Sequence, residues 1–315
     1  MGLGRGWLVV KNRRPWRIAG FVLLVLLAGC GEREQYRQVR LSETGRSEAV
    51  ASSPEVKAPL RVAVAPVISP RESFALYAAL LEYISRELNR PVDLIQRRTY
   101  GEINELIRYG HADLAFVCDY AYVEGERDFG MEILVVPVVM GKTAYHSYII
   151  VPRESNARSL YDLRGKTFAF SDPLSSSGWL FPTHLLRKIG ESPKTFFKRY
   201  IFTYSHDNTV KAVAEKLVDG GAVDSLVYEF MVAREPRLGE KTRVIQKSPP
   251  WGNPPVVVHP RIDPSLRERL KKIFLTMHEG EEGRKVLSPL MIDRFTLPNN
   301  RAYDDVRRMA ALARE

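Results

Sequence analysis

The sequence predicts an α/β protein made of two lobes, on three observations. From residue 60 onward, short apolar runs alternate with amphipathic stretches, the signature of strands followed by helices. The alternation runs as two series of similar size. A segment with four prolines, Ser248-Pro-Pro-Trp-Gly-Asn-Pro-Pro255, then separates the second series from two last helical stretches. Proline fixes φ and lacks an N–H, so this segment is expected to be irregular chain that returns to complete the first lobe.

The first series opens with a strand at Leu60-Arg-Val-Ala-Val-Ala65 and a helix from about Glu72 to Leu88, where Phe74, Leu76, Leu80, Leu81, Ile84 and Leu88 recur at helical spacing. A strand at Val92 to Ile95, a helix at Tyr100 to Tyr109 and a strand at Asp113 to Val117 follow. The apolar runs Ile133 to Met140 and Tyr145 to Val151 add two more strands. The second series has a strand at Lys166 to Phe170, a helix at Ser177 to Ile189 and a strand at Tyr200 to Thr203. It continues with a helix at Asp207 to Leu217, a strand at Gly221 to Val223, a helix at Leu226 to Ala233 and a strand at Arg243 to Gln246. Pro264 to Met277 and Tyr303 to Leu312 are helical. Regular alternation of this kind predicts parallel construction.

The N-terminus predicts export. Lys11, Arg13, Arg14 and Arg17 precede an acid-free apolar run, Ile18 to Ala28, too short for a spanning helix of ~20 residues but suited to a signal peptide over residues 1–29. The ending Leu-Leu-Ala-Gly-Cys30 resembles a bacterial lipobox, which implies diacylation of Cys30 and anchoring at the periplasmic face of a bacterial membrane. Residues 30–59 are polar without periodicity and are expected to form a tether.

The 315-residue chain carries a net charge of +10, but the leader holds five basic residues and no acids. Removing those five leaves 42 basic against 37 acidic residues, spread along the chain. That mild surplus gives no footprint for nucleic acid. With Cys30 acylated, Cys118 stands alone, so no intramolecular disulfide is expected.

The segment Asp172-Pro-Leu-Ser-Ser-Ser-Gly178 carries the chemistry. Ser175, Ser176 and Ser177 at a helix start read as an N-cap, as a nucleophile, or as a cradle whose N–H and hydroxyl groups hold a tetrahedral oxyanion. Gly178 is expected to let the oxyanion approach the backbone. A nucleophile would want a G-x-S-x-G turn and a base held by a third group, neither of which is present. No metal-ligand spacing occurs either. Catalysis, cofactor and metal are therefore not expected.

The segment resembles the NPxSTSGxxxP signature of the periplasmic phosphonate, phosphite and phosphate binding proteins of ABC transporters, with Ser176 in place of Thr. Tyr145-His-Ser147, Ser205-His206-Asp207-Asn208, Val218-Asp-Gly-Gly-Ala-Val-Asp224 and Ser248-Pro-Pro are similar to further motifs of that family in the same order. The resemblance implies a two-lobed, type II-like periplasmic binding protein that closes on its ligand across two crossover segments. Lobe 1 would comprise residues 60–147 and 256–315, lobe 2 residues 148–247, and the return hinge residues 248–255. It further implies that Ser175, Ser176, Ser177 and His206 bind the oxyanion and that Tyr145 stands at the cleft mouth. Asp224 would accept from a protonated ligand oxygen, touch a substituent, or cap the next helix. The implied partner is a transporter permease, with the binding protein a monomer.

Cys118 departs from that pattern, since phosphonate binders commonly carry Gly there. A thiol is a weak donor to phosphate. It reads as a small buried hydrophobe, or as a soft ligand, because the segment also resembles periplasmic arsenite sensors. The alternative function is thus an oxyanion or arsenite sensor signalling to a membrane kinase or cyclase.

Overall fold

The computed structural model describes residues 58–314; the leader, Cys30 and most of the expected tether lie outside the described residues. The chain begins with β1 (Leu60–Val64), α1 (Pro70–Leu88), β2 (Val92–Gln96), α2 (Tyr100–Arg108), β3 (Leu114–Phe116), α3 (Asp119–Phe129) and β4 (Glu132–Val139). Then come β5 (Ala144–Tyr145), β6 (Ser147–Pro152), β7 (Thr167–Phe170), α4 (Phe181–Arg187), α5 (Pro193–Phe196), β8 (Arg199–Phe202), α6 (His206–Ala214), β9 (Gly220–Asp224) and α7 (Ser225–Arg234). The remainder is α8 (Pro236–Lys241), β10 (Thr242–Lys247), β11 (Trp251–Gly252), β12 (Val256–Val258), α9 (Pro264–Thr276), α10 (Glu281–Leu287), β13 (Ile292–Thr296) and α11 (Asp304–Arg314).

Two sheets result, one per lobe. The first has the order β13-β4-β12-β3-β1-β2 and the second β10-β6-β9-β7-β8. Helix α1 shows how the first lobe assembles. Leu76, Leu80, Leu81, Ile84 and Leu88 form its buried stripe, Pro70 supplies a start that needs no N–H, and Asn89 ends it in the left-handed region at φ 47°. In α2, Thr99 and Glu102 form a reciprocal capping box. The strand β12 lies between β3 and β4, with Val256, Val257 and Val258 all fully buried. A strand covered on both faces needs apolar side chains throughout.

The sheets are mixed rather than parallel. Strands β1, β2 and β3 are parallel, as are β7, β8 and β9, whereas β6 and β12 run antiparallel to their neighbours. Each of these two strands enters its lobe directly from a crossover instead of through a helix. It starts beside the point where its neighbour ends: Ser147 pairs with Asp224, and Val256 with Phe116. The direction is therefore reversed, which the alternation of elements did not predict.

The Pro-rich return segment is also more regular than expected. Trp251 and Gly252 pair with Tyr145 and Ala144 as a two-stranded antiparallel ribbon, so the two crossovers hold each other. The Tyr303 hydroxyl donates to the Asn253 carbonyl at 2.8 Å, and Trp251 packs edge-on against Tyr145 and Phe181. The lobes meet directly. His206 N–H donates to the Val67 carbonyl at 2.9 Å, Ser69 N–H to Asp207 Oδ1 at 2.9 Å, and Tyr100 N–H to Asp172 Oδ2 at 3.2 Å.

Candidate functional site

The serines occupy a π-helical turn, Ser176–Leu180, that precedes α4. The N–H groups of Trp179 and Leu180 both reach the Ser175 carbonyl, and that of Phe181 reaches the Ser176 carbonyl. Pro182 has no N–H with which to tighten this turn into regular helix. The expected helix from Ser177 is thus α4 with a wider first turn.

Each serine has a different task. Ser175 Oγ accepts from the Gly178 N–H at 2.9 Å, an N-cap, and lies 3.3 Å from His206 Nε2. Ser176 Oγ donates to Asp119 Oδ1 at 2.5 Å. The Ser177 carbonyl accepts from the Ser147 hydroxyl at 2.6 Å, while Ser177 Oγ is buried without a partner. Packing within the cradle itself requires glycine at Gly178. A Cβ there would lie 2.6 Å from Ser171 Oγ and 3.0 Å from Ser175 Oγ, so the cradle's own side chains fill the space.

His206 begins α6 and is 1% exposed. Its Nδ1 takes the backbone N–H of Asp224 at 3.0 Å and lies 2.9 Å from Ser171 Oγ. A backbone N–H can only donate, so Nδ1 is the acceptor and the ring carries its proton on Nε2, toward Ser175. Burial pushes its pKa down to about 3, which keeps the ring a neutral donor at physiological pH.

Lobe 1 contributes Asp119, which is fully buried at the start of α3. Its Oδ1 accepts from the Tyr145 hydroxyl at 2.5 Å and from Ser176, and lies 3.1 Å from Cys118 Sγ; its Oδ2 is buried without a partner. Burial raises its pKa despite those bonds. Tyr145 is 1% exposed, so it is enclosed rather than open at a cleft mouth: Trp251 packs edge-on against its ring and Asp119 takes its hydroxyl. Cys118 is 3% exposed, and its Sγ receives the Ser176 N–H at 3.5 Å. Burial pushes the thiol well above its ordinary range, so it stays protonated.

Asp224 caps α7, with Oδ1 accepting from Leu226 and Val227 N–H. It also lines an apolar cavity of about 160 Å³ between the lobes, beside Val67, Phe116, Leu226 and Phe230. Burial pushes its pKa up to about 7. Among the described residues, no Lys or Arg pairs with Asp119 or Asp224, and no group of three or more His, Cys, Asp or Glu is arranged to hold a metal ion.

The sequence reading missed Asp119, Ser171 and Tyr100. Asp119 had a signal, since it follows Cys118 at a strand-to-helix junction, but an acid in a first helical turn also serves the helix dipole. Ser171 stands directly after the strand β7. Tyr100 is fully buried with an unpartnered hydroxyl, and its N–H donates to Asp172 at the head of the serine segment. Its apolar helical spacing gave no hint of that.

Two α/β lobes joined by a two-stranded ribbon, with hydroxyls and a neutral imidazole buried between them, define a type II periplasmic binding protein. The chain belongs to the family of ABC transporter, phosphonate, periplasmic substrate-binding proteins, whose sequence model matches residues 62–303. It is a non-enzymatic family of transporter components.

The phosphate-import protein PhnD of Mycolicibacterium smegmatis is 27% identical over 226 residues, 68% of this chain and 70% of that protein. Two solved structures share the fold. One is a binding protein component of an ABC phosphonate transporter from Pseudomonas aeruginosa, with TM-score 0.75 and 24% identity over 80% of this chain and 85% of that one. The other is PhnD1 from Prochlorococcus marinus in complex with methylphosphonate, with TM-score 0.73 and 19% identity over 81% of this chain and 98% of that one.

Proposed function

We propose that this protein captures a small phosphorus oxyanion, as phosphate, phosphite or a phosphonate, between its lobes and delivers it to an ABC transporter permease. The observation that carries this reading is the set of buried donors left free on both sides of the cleft, the Ser177 hydroxyl from lobe 2 and the Tyr100 hydroxyl from lobe 1, together with the neutral His206 imidazole and framed by the Ser176 and Tyr145 hydroxyls that donate to Asp119. Their burial lowers the local dielectric and strengthens each bond to an anion.

The chain acts as a monomer tethered by acylated Cys30, with the ligand-binding part held off the membrane by residues 30–59. Lobe 1 comprises residues 60–147 and 256–315 and lobe 2 residues 148–247. Residues 248–255 serve as the return hinge.

A thermal-shift and calorimetric screen of phosphate, phosphite, methylphosphonate, 2-aminoethylphosphonate, sulfate and arsenite tests the ligand class. A bound phosphorus oxyanion is expected to stabilise the protein by ~2.7 kcal/mol at a hundredfold excess over Kd, and Ser176→Ala to weaken it. Binding of arsenite alone, lost in Cys118→Ser, would favour the sensor reading. Fractionation of cells expressing the full chain tests the anchor: Cys30→Ser should release the protein from the membrane.

A further inference from the structure

Asp119 faces the serines from the opposite lobe. A hydroxyl or thiol holds a single proton, and those of Ser176, Tyr145 and Cys118 all lie within hydrogen-bonding distance of Asp119 Oδ1, at 2.5, 2.5 and 3.1 Å. While Asp119 is ionised, these groups turn their protons toward it and offer only lone pairs to anything else in the cleft. A fully ionised oxyanion placed there meets acceptors, together with the unpartnered, buried Oδ2. Two like charges in a dry site oppose each other strongly, and among the described residues no cationic side chain pairs with Asp119 to offset them. A proton shared between ligand and carboxylate lowers the total negative charge by one and turns an acceptor–acceptor contact into a hydrogen bond.

We propose that Asp119 is the specificity-determining residue of this cleft: its Oδ2 accepts the hydroxyl proton of a singly protonated phosphorus oxyanion, so sulfate, which has no proton to donate, is rejected. This rests on the reading of the cleft as an oxyanion site.

The titratable groups whose charge Asp119 would feel are Cys118 beside it, Tyr100 on α2, Tyr145 on β5, Tyr303 before α11 and Asp224 at the end of β9. Burial raises the thiol and the three phenols, which therefore remain neutral. Asp224 alone among them titrates near neutral pH, so it needs its own control.

Calorimetric titration of the mature protein with methylphosphonate and with sulfate, from pH 5 to 9, tests the assignment. Wild-type affinity for methylphosphonate should fall about tenfold per pH unit once the free ligand loses its last proton, and sulfate should not bind. Asp119→Asn, nearly isosteric, should flatten the dependence and admit sulfate. Repeating the wild-type titration in buffers of different ionisation enthalpy should count about one proton taken up per ligand in that upper range.

A dependence retained in Asp119→Asn overturns the assignment, as does one lost in Asp224→Asn but kept in Asp119→Asn. Methylphosphonate binding that is flat with pH in wild type leaves the oxyanion reading standing and removes the role of Asp119. Failure of phosphate, phosphite and methylphosphonate all to bind overturns both. If Asp119→Asn does not fold, the wild-type proton count decides alone.

Discussion

The backbone N–H of Asp224 donates to Nδ1 of His206, and this bond decides what the imidazole offers the cleft. Nε2 keeps its proton, and burial holds the ring's pKa at about 3. Folded His206 therefore binds fewer protons than unfolded His between about pH 3 and the ordinary histidine value, so its contribution to stability is present above that window and is lost as pH falls through it. Replacing it with Gln should remove that loss. Urea melts of both proteins from pH 4 to 7 check this: wild type should lose stability relative to His206→Gln as pH falls.

Asp224 has the opposite sign. Its folded pKa of about 7 lies above the ordinary Asp value, so its neutral form favours folding at low pH and that contribution is lost as pH rises through 7. Asp224→Asn keeps an oxygen to cap Leu226 and Val227 N–H. The melting temperature of the variant, compared with wild type, should rise steadily from about pH 4 to 8.

Ser175 and Ser177 separate capping from ligand binding. Ser175→Ala leaves the buried Gly178 N–H without its cap and should cost ~1–2 kcal/mol in denaturant unfolding. Ser177 Oγ has no partner, so Ser177→Ala should leave stability nearly unchanged. Its loss should instead weaken oxyanion binding about tenfold to a hundredfold, the worth of one hydrogen bond to a charged group.

Gly178→Ala drives a methyl group into Ser171, whose Oγ and Cβ would lie 2.6 and 2.7 Å away. Overpacking of this kind should destabilise by ~1–3 kcal/mol. Adding Ser171→Gly should recover part of the loss, visible as a favourable coupling in a double-mutant cycle. If the two changes simply add, Gly178 is required for another reason.

Cys118 should be inert in the folded protein. Its thiol is buried and protonated, so iodoacetamide at pH 7.5 should label it only in denaturant. Mass spectrometry of the mature protein before and after denaturation measures this directly.

Much of the fold could be read from local pattern. The stripe in α1 and the apolar runs of β1 and β4 specify their elements through helical or strand periodicity, and their observed limits agree within two residues. Strand directions could not be read that way. A crossover strand such as β12 has the same apolar pattern in either direction, and only its entry from the other lobe makes it antiparallel. The site divides along the same line. The serines and His206 stood out as a motif, whereas Asp119 and Tyr100 reach that segment from dozens of positions away, and Ser171, although it packs on Gly178, shows its place only through His206.

By itself, then, the sequence determined the α/β class, the alternating elements and the family, because periodicity and ordered motifs are local properties of a chain. Tertiary structure decided that Ser175 caps, that Gly178 makes room for Ser171, that Tyr145 is enclosed, and that the Asp119 carboxylate faces the serines. Those outcomes depend on which groups burial brings within hydrogen-bonding distance, and on the cost of burying charge where no opposite charge is near.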